Sequence, residues 1–127
     1  MNTISKTLLD LQNNQEQRIQ AAFRLENIAT SEAIQILGKA LQTDPSPIVR
    51  HECAFALGET AAAQEAGKFL IQAIQTDNSI FVVHEALLAL GTLGDKSFEP
   101  FIATYLNHPQ QDIAESAAIA LQRLCTK

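Results

Sequence analysis

The chain has 127 residues, 46% of them hydrophobic but only 6% aromatic and none tryptophan, so residues 1–127 are expected to form a single domain whose core is built mainly from Leu, Ile and Ala. Nine Lys and Arg against fourteen Asp and Glu leave a formal charge of −5, which argues against the basic stripe of a nucleic-acid footprint and favours cationic or neutral ligands. No stretch reaches the length of a membrane span. With two cysteines that form no framework, and no basic leader before an apolar run, the chain reads as a reduced, cytoplasmic protein.

Eight helices are predicted in chain order. The first runs roughly over Ile4 to Gln12 and the second over Gln15 to Ala29, separated by the turn-prone Asn13-Asn14. Ser31 is expected to cap a third helix whose Ala33, Ile34, Leu37 and Leu41 share one stripe. Thr43-Asp44-Pro45-Ser46-Pro47 stops it, with Ser46 as the next N-cap and Pro47 in the first turn of the fourth helix. A fifth helix around Gln64 to Gln75 ends at Thr76-Asp77-Asn78-Ser79, and the sixth closes at Gly91 or Gly94. Asp95 can cap a seventh that ends near Asn107-His108-Pro109, and about Gln111 to Leu124 form the last. No alternation of period two interrupts the series, so the fold is all-α.

One phrase recurs along these helices. Aligned on its closing leucine it reads Arg18-Ile19-Gln20-Ala21-Ala22-Phe23-Arg24-Leu25, then Arg50-His51-Glu52-Cys53-Ala54-Phe55-Ala56-Leu57, then Val83-His84-Glu85-Ala86-Leu87-Leu88-Ala89-Leu90, then Ala114-Glu115-Ser116-Ala117-Ala118-Ile119-Ala120-Leu121. The leucines lie 32, 33 and 31 residues apart, the period of stacked two-helix units. Scaffold positions recur in all four units, whereas His-Glu occurs only in the middle two; the first and last units carry Ile19-Gln20 and Glu115-Ser116 instead. Folding alone gives no reason for that asymmetry.

A single His-Glu dipeptide on a helix is an ordinary surface feature. Two in one repeat phase, using two of only three histidines, point to a shared role. Equivalent positions on parallel neighbouring helices, packed about 10 Å apart, face the same way, so His51 and His84 can approach one ion with Glu52 and Glu85 in a second row beside them. Two imidazoles and a carboxylate form the open-sided set favoured by non-heme Fe(II), and usable by Mn or Zn. His108 reads as a solvated turn residue and Cys53 as a small core residue. Arg50 is assigned no repeated role because Val83 stands at the matching place in the next unit, and Glu59 and Glu115 read as surface.

These four units, with His-Glu in the middle two and Ile113-Ala114-Glu115-Ser116 to Leu121-Gln122-Arg123-Leu124 closing the series, resemble one half of the deoxyhypusine hydroxylases. The resemblance covers nearly the whole chain from about Arg18. It implies an all-α, HEAT-like α-α superhelix of four two-helix repeats, and the activity of a di-iron monooxygenase that hydroxylates an amine-bearing side chain or small molecule with dioxygen as co-substrate. It also implies ligand roles for His51, His84 and Glu52, the glutamate completing the iron held by the histidines of the opposite half. Glu85 stands among the candidate ligands and inherits a catalytic part close behind the metal or against the substrate's ammonium group.

Half a site calls for a partner, and a second copy is the simplest one: a homodimer would hold two irons around its two-fold axis. The chain also resembles phycobilisome-lyase HEAT repeats, in which the same helical phrase lacks His-Glu and serves as a scaffold. A metal-free HEAT-repeat adaptor and a non-catalytic iron or oxygen sensor are the alternative expectations.

Overall fold

A computed structural model describes residues 2–28 and 30–126. Among them are eight α-helices and no strand: α1 (Asn2–Leu9), α2 (Gln15–Glu26), α3 (Ser31–Thr43), α4 (Pro47–Gly58), α5 (Ala63–Thr76), α6 (Ile80–Leu93), α7 (Glu99–Ala103) and α8 (Gln111–Cys125), with a 3-10 turn over Lys96–Phe98 ahead of α7. Consecutive helices pair, and the even helices α2, α4, α6 and α8 pack side by side in one layer while α1, α3 and α5 pack in the other. Because each hairpin reverses direction, all even helices run parallel and present equivalent residues on equivalent faces, staggered along the axis so that Gly58 meets Ala89 and Gly91 meets Ala120.

Local chemistry accounts for several helix ends. The Asn14 side chain accepts from the backbone N–H of Gln17 while the Gln17 side chain accepts from that of Asn14, a reciprocal cap that starts α2. Ser46 caps α4 with Pro47 in its first turn, as expected. Gly94 ends α6 in a left-handed conformation (φ 77°) that a side chain would strain. Four expectations are corrected. Helix α1 ends at Leu9 because Asp10 turns the chain, its carboxylate accepting from the Gln12 backbone at 2.9 Å. Helix α2 ends at Glu26, and its expected end at Ala29 lies outside the described residues. Thr30 rather than Ser31 caps α3, accepting from Ala33 N–H, while the Ser31 hydroxyl donates to Glu65 at 2.6 Å. Asp95 caps the 3-10 turn, and α7 stops at Ala103, where Thr104 folds its hydroxyl onto Phe101 O.

The core lies between the two layers. Leu25, Leu57 and Leu90 are buried, as are the small residues Ala21, Cys53, Ala86 and Ala117 of the recurring phrase. In α8 the pattern relaxes, with Ala118 exposed and Leu121 half-buried, because no described helix covers its far side. The even helices approach closely at two glycines: a methyl group on Gly58 would stand 2.7 Å from the Ala89 Cβ, and one on Gly91 would stand 2.5 Å from Ala120 O. No helix among the described residues is long and apolar enough to cross a membrane.

Arg50 does have a repeated role. Its guanidinium clamps Asp77, the residue that ends α5, and donates to Asp44 O at 2.8 Å. One repeat earlier Arg18 clamps Asp44, which ends α3, and donates to Asn13 O at 2.6 Å. Each aspartate also accepts from the backbone two residues on, Asp44 from Ser46 and Asp77 from Ser79. The signal in the sequence is Arg18 at the matching place in the first unit, whereas Val83 breaks the series in the third.

Candidate metal centre

His51 and Glu52 project from α4, and His84 and Glu85 from α6, all four partly exposed. The parallel packing of α4 on α6, set by the close approach of Gly58 to Ala89, brings the two pairs onto one stretch of the even-helix layer. The pairing runs across the repeats. His51 Nε2 lies 3.2 Å from Glu85 Oε1, while Glu52, its own neighbour in sequence, comes no closer than 3.9 Å, to Nδ1. The expected parallel rows of imidazoles and carboxylates are therefore joined diagonally. That hydrogen bond is the main reason the His51 imidazolium is held above the ordinary histidine range; partial burial opposes it, and the charges of Glu85 and Glu52 add to it.

The same diagonal recurs one unit further on. His84 meets Ser116 of α8 through Nδ1, and Ser116 occupies in the last unit the place that Glu85 occupies in the third. In each case the imidazole of one unit is held by the residue in the glutamate phase of the next. In the sequence Ser116 is legible only as a lost glutamate; its partnership with His84 is a tertiary contact that spacing does not show.

Apolar side chains border this polar strip. Ile48 and Phe81 stand three residues before the two histidines, and Phe55 and Leu88 four residues after them, placing them on the same helical faces. Ile48 is 54% and Phe81 76% exposed. Phe23 and Ile119 continue the second row into the outer units, both exposed. This regular apolar border was legible in the repeat phase, since Phe23, Phe55, Leu88 and Ile119 all sit two residues before the aligning leucines.

Imidazole nitrogens and carboxylate oxygens at partly exposed positions fit a first-row transition ion such as iron. Cys53, the residue after Glu52, is fully buried and burial pushes its thiol well up, so it offers no thiolate to compete. Among the described residues no three of His, Cys, Asp and Glu are gathered to hold one ion. His108 lies away from this strip, half-buried in the turn after α7, where its ring stacks on Tyr105 and its Nδ1 accepts from Gln110 N–H at 3.0 Å.

The sequence profile of the HEAT repeats matches residues 4–86. A deoxyhypusine hydroxylase of Drosophila melanogaster is 34% identical over 116 residues, covering 88% of this chain and 38% of that protein. One from Aspergillus oryzae is 33% identical over 126 residues, covering 93% and 37%. The solved structure of human deoxyhypusine hydroxylase in complex with glycerol superposes with a TM-score of 0.90 at 31% identity, over 97% of this chain and 42% of that one. The complex of CpcE and CpcF of the phycocyanin lyase from Nostoc sp. PCC7120 superposes with a TM-score of 0.70 at 22% identity, over 98% and 52%, a likeness of fold. The chain thus spans about two-fifths of the length of the hydroxylases it matches.

Proposed function

The chain belongs to the HEAT-repeat family, and on that premise we propose that its second and third repeats carry half of a non-heme di-iron site for the hydroxylation of an amine-bearing substrate, completed by a second copy of the chain. The observation that carries this reading is the placement of His51, Glu52, His84 and Glu85 on one face of two packed parallel helices, in a chain about one-third identical to deoxyhypusine hydroxylases over most of its length.

In the dimer, His51 and His84 of one protomer would hold an iron together with the partner's counterpart of Glu52, giving two irons around the two-fold axis. When bound, iron supplies the means to reduce dioxygen, one oxygen atom entering a C–H bond of the substrate and the other leaving as water with two electrons from an external reductant. The protein's own part is binding and placement. Glu85 Oε1 lies 3.2 Å from His51 Nε2, so its carboxylate would steady this ring beside a bound iron. That carboxylate, in a chain of net charge −5, suits a substrate ammonium. The exposed Ile48, Phe81 and Phe55 would be covered when two such faces meet, which removes apolar surface from water and dries the site.

Metal analysis with complementation tests this reading. Wild-type protein is expected to take up about one Fe(II) per chain in anaerobic titration, and His51→Ala or His84→Ala to abolish uptake. Co-expressing a His51→Ala, His84→Ala chain with a Glu52→Ala chain should restore one iron per heterodimer, because one of the two sites regains both histidines and the trans glutamate. A wild-type protein that takes up no iron leaves the adaptor reading in its place. Isolated heterodimers with no more metal than either parent would reject the shared site.

A further inference from the structure

We propose that Ser116 is a positioning residue that fixes the tautomer of His84, so that Nε2 of this ring is the atom offered to the metal. The inference rests on the metal-site reading above and adds to it the atom used and the residue that selects it.

The hydrogens available at the contact decide the tautomer. Ser116 is fully buried on α8, and its Oγ has two neighbours: Asp112 O one turn back at 2.6 Å and His84 Nδ1. A hydroxyl carries one proton. The carbonyl oxygen only accepts, so the hydroxyl proton goes to Asp112 O. Toward His84 the serine oxygen is then left as an acceptor, and the hydrogen in that contact must sit on Nδ1. A neutral imidazole with its hydrogen on Nδ1 has a lone pair on Nε2. Burial of Ser116 excludes water as a substitute acceptor, and the helix carbonyl fixes the direction of the hydroxyl. The ring is therefore oriented and its donor atom selected before any ion arrives.

The repeat explains why a serine is needed here. His51 is held by Glu85, a carboxylate on the metal strip, whereas His84 is held by the neutral Ser116 of the fourth unit. A serine in the glutamate phase keeps the hydrogen-bonding function and leaves out the charge. Ser116 is buried behind His84 and meets it only at Nδ1, so its effect is transmitted through the ring.

Long-range proton–nitrogen correlation spectra of metal-free protein, recorded where imidazoles are neutral, test the tautomer without any bound iron. His84 is expected to show the pattern of hydrogen on Nδ1, and Ser116→Ala to lose that preference while His51 signals stay in place and helicity is unchanged. In Fe(II) and Zn(II) titrations Ser116→Ala should lower affinity roughly 10- to 100-fold, with Ser116→Thr, which keeps the hydroxyl, close to wild type. A wild-type His84 with its hydrogen on Nε2 would overturn the proposal, as would an alanine variant with unchanged tautomer and affinity. If the tautomer responds to Ser116 and wild-type protein binds no metal, the ring-fixing role is upheld and the failure belongs to the metal-site reading.

Discussion

Val83 and His108 replace together the two halves of an ion pair that the preceding repeats keep. Arg18 with Asp44 and Arg50 with Asp77 join the first three units through side chains that are mostly buried, and in the next unit Val83 stands at the arginine place and His108 at the aspartate place. His108 retains one aspartate duty, accepting from the backbone two residues on. The two positions thus change as a unit.

Removing one partner of such a pair strands the other in the protein. Arg50→Val or Asp77→His alone should each cost about 3 kcal/mol in urea denaturation. The double variant, which copies the third unit, should cost less than the sum of the two by more than about 0.5 kcal/mol. Additive losses would show that the clamp is not an energetic unit.

The glycines of the even helices give a second test. Gly91→Ala sets a methyl 2.5 Å from Ala120 O and 2.7 Å from Ala120 Cα, backbone atoms that cannot swing aside. We expect a loss of about 1–3 kcal/mol and, because α6 and α8 must separate, a weakened contact of His84 with Ser116 visible in the histidine spectra. Gly58→Ala, against Ala89, should destabilise comparably while sparing that contact.

A third prediction concerns pH. Burial, and then the charges of Glu59 and Glu52, raise the Glu26 carboxyl above its ordinary value, and Glu26 Oε1 is buried without a hydrogen-bond partner. A carboxyl raised on folding costs stability as pH climbs from the unfolded to the folded value, and the penalty persists above it. Glu26→Gln should therefore melt above wild type at neutral pH, with the difference vanishing once the medium is acid enough to protonate the unfolded carboxyl. An unchanged or lower melting temperature at neutral pH would contradict this.

Self-association through the histidine face predicts a role for its apolar border. Phe81→Asp and Ile48→Asp alter side chains that are 76% and 54% exposed, so monomer folding should change by no more than about 0.5 kcal/mol. Sedimentation analysis should nonetheless show a dimer for wild type and a monomer for the double variant. If wild type sediments as a monomer at high concentration, the face is not a homodimer interface.

Much of the architecture could be read from residue spacing. The leucine period gave the four units, and proline, serine and glycine marked the boundaries around α4 and α6. Those signals are local: a cap or breaker acts within a turn of its own position. What spacing does not show depends on contacts between units. The diagonal from His51 to Glu85 and that from His84 to Ser116 follow from the stagger of parallel helices, which a one-dimensional alignment in register hides. The repeat of Arg50 runs backwards to Arg18 and stops at Val83, so the forward comparison conceals it. The shortness of α7 is hidden because its sequence stays apolar and helix-compatible up to Leu106, and only the folding-back of Thr104 onto Phe101 shows where it stops.

The missing third clamp also decides where this chain can be lengthened. The connections after α3 and α5 are bolted by Arg18 and Arg50, so added residues there would pull an aspartate from its guanidinium. The stretch from Thr104 to Gln110 is tethered by the His108 contact with Gln110 and the Tyr105 ring stack, and most of it is exposed. A peptide tag or a fused domain placed there would leave both buried pairs and the histidine strip in register, making this turn the natural port for grafting onto the array.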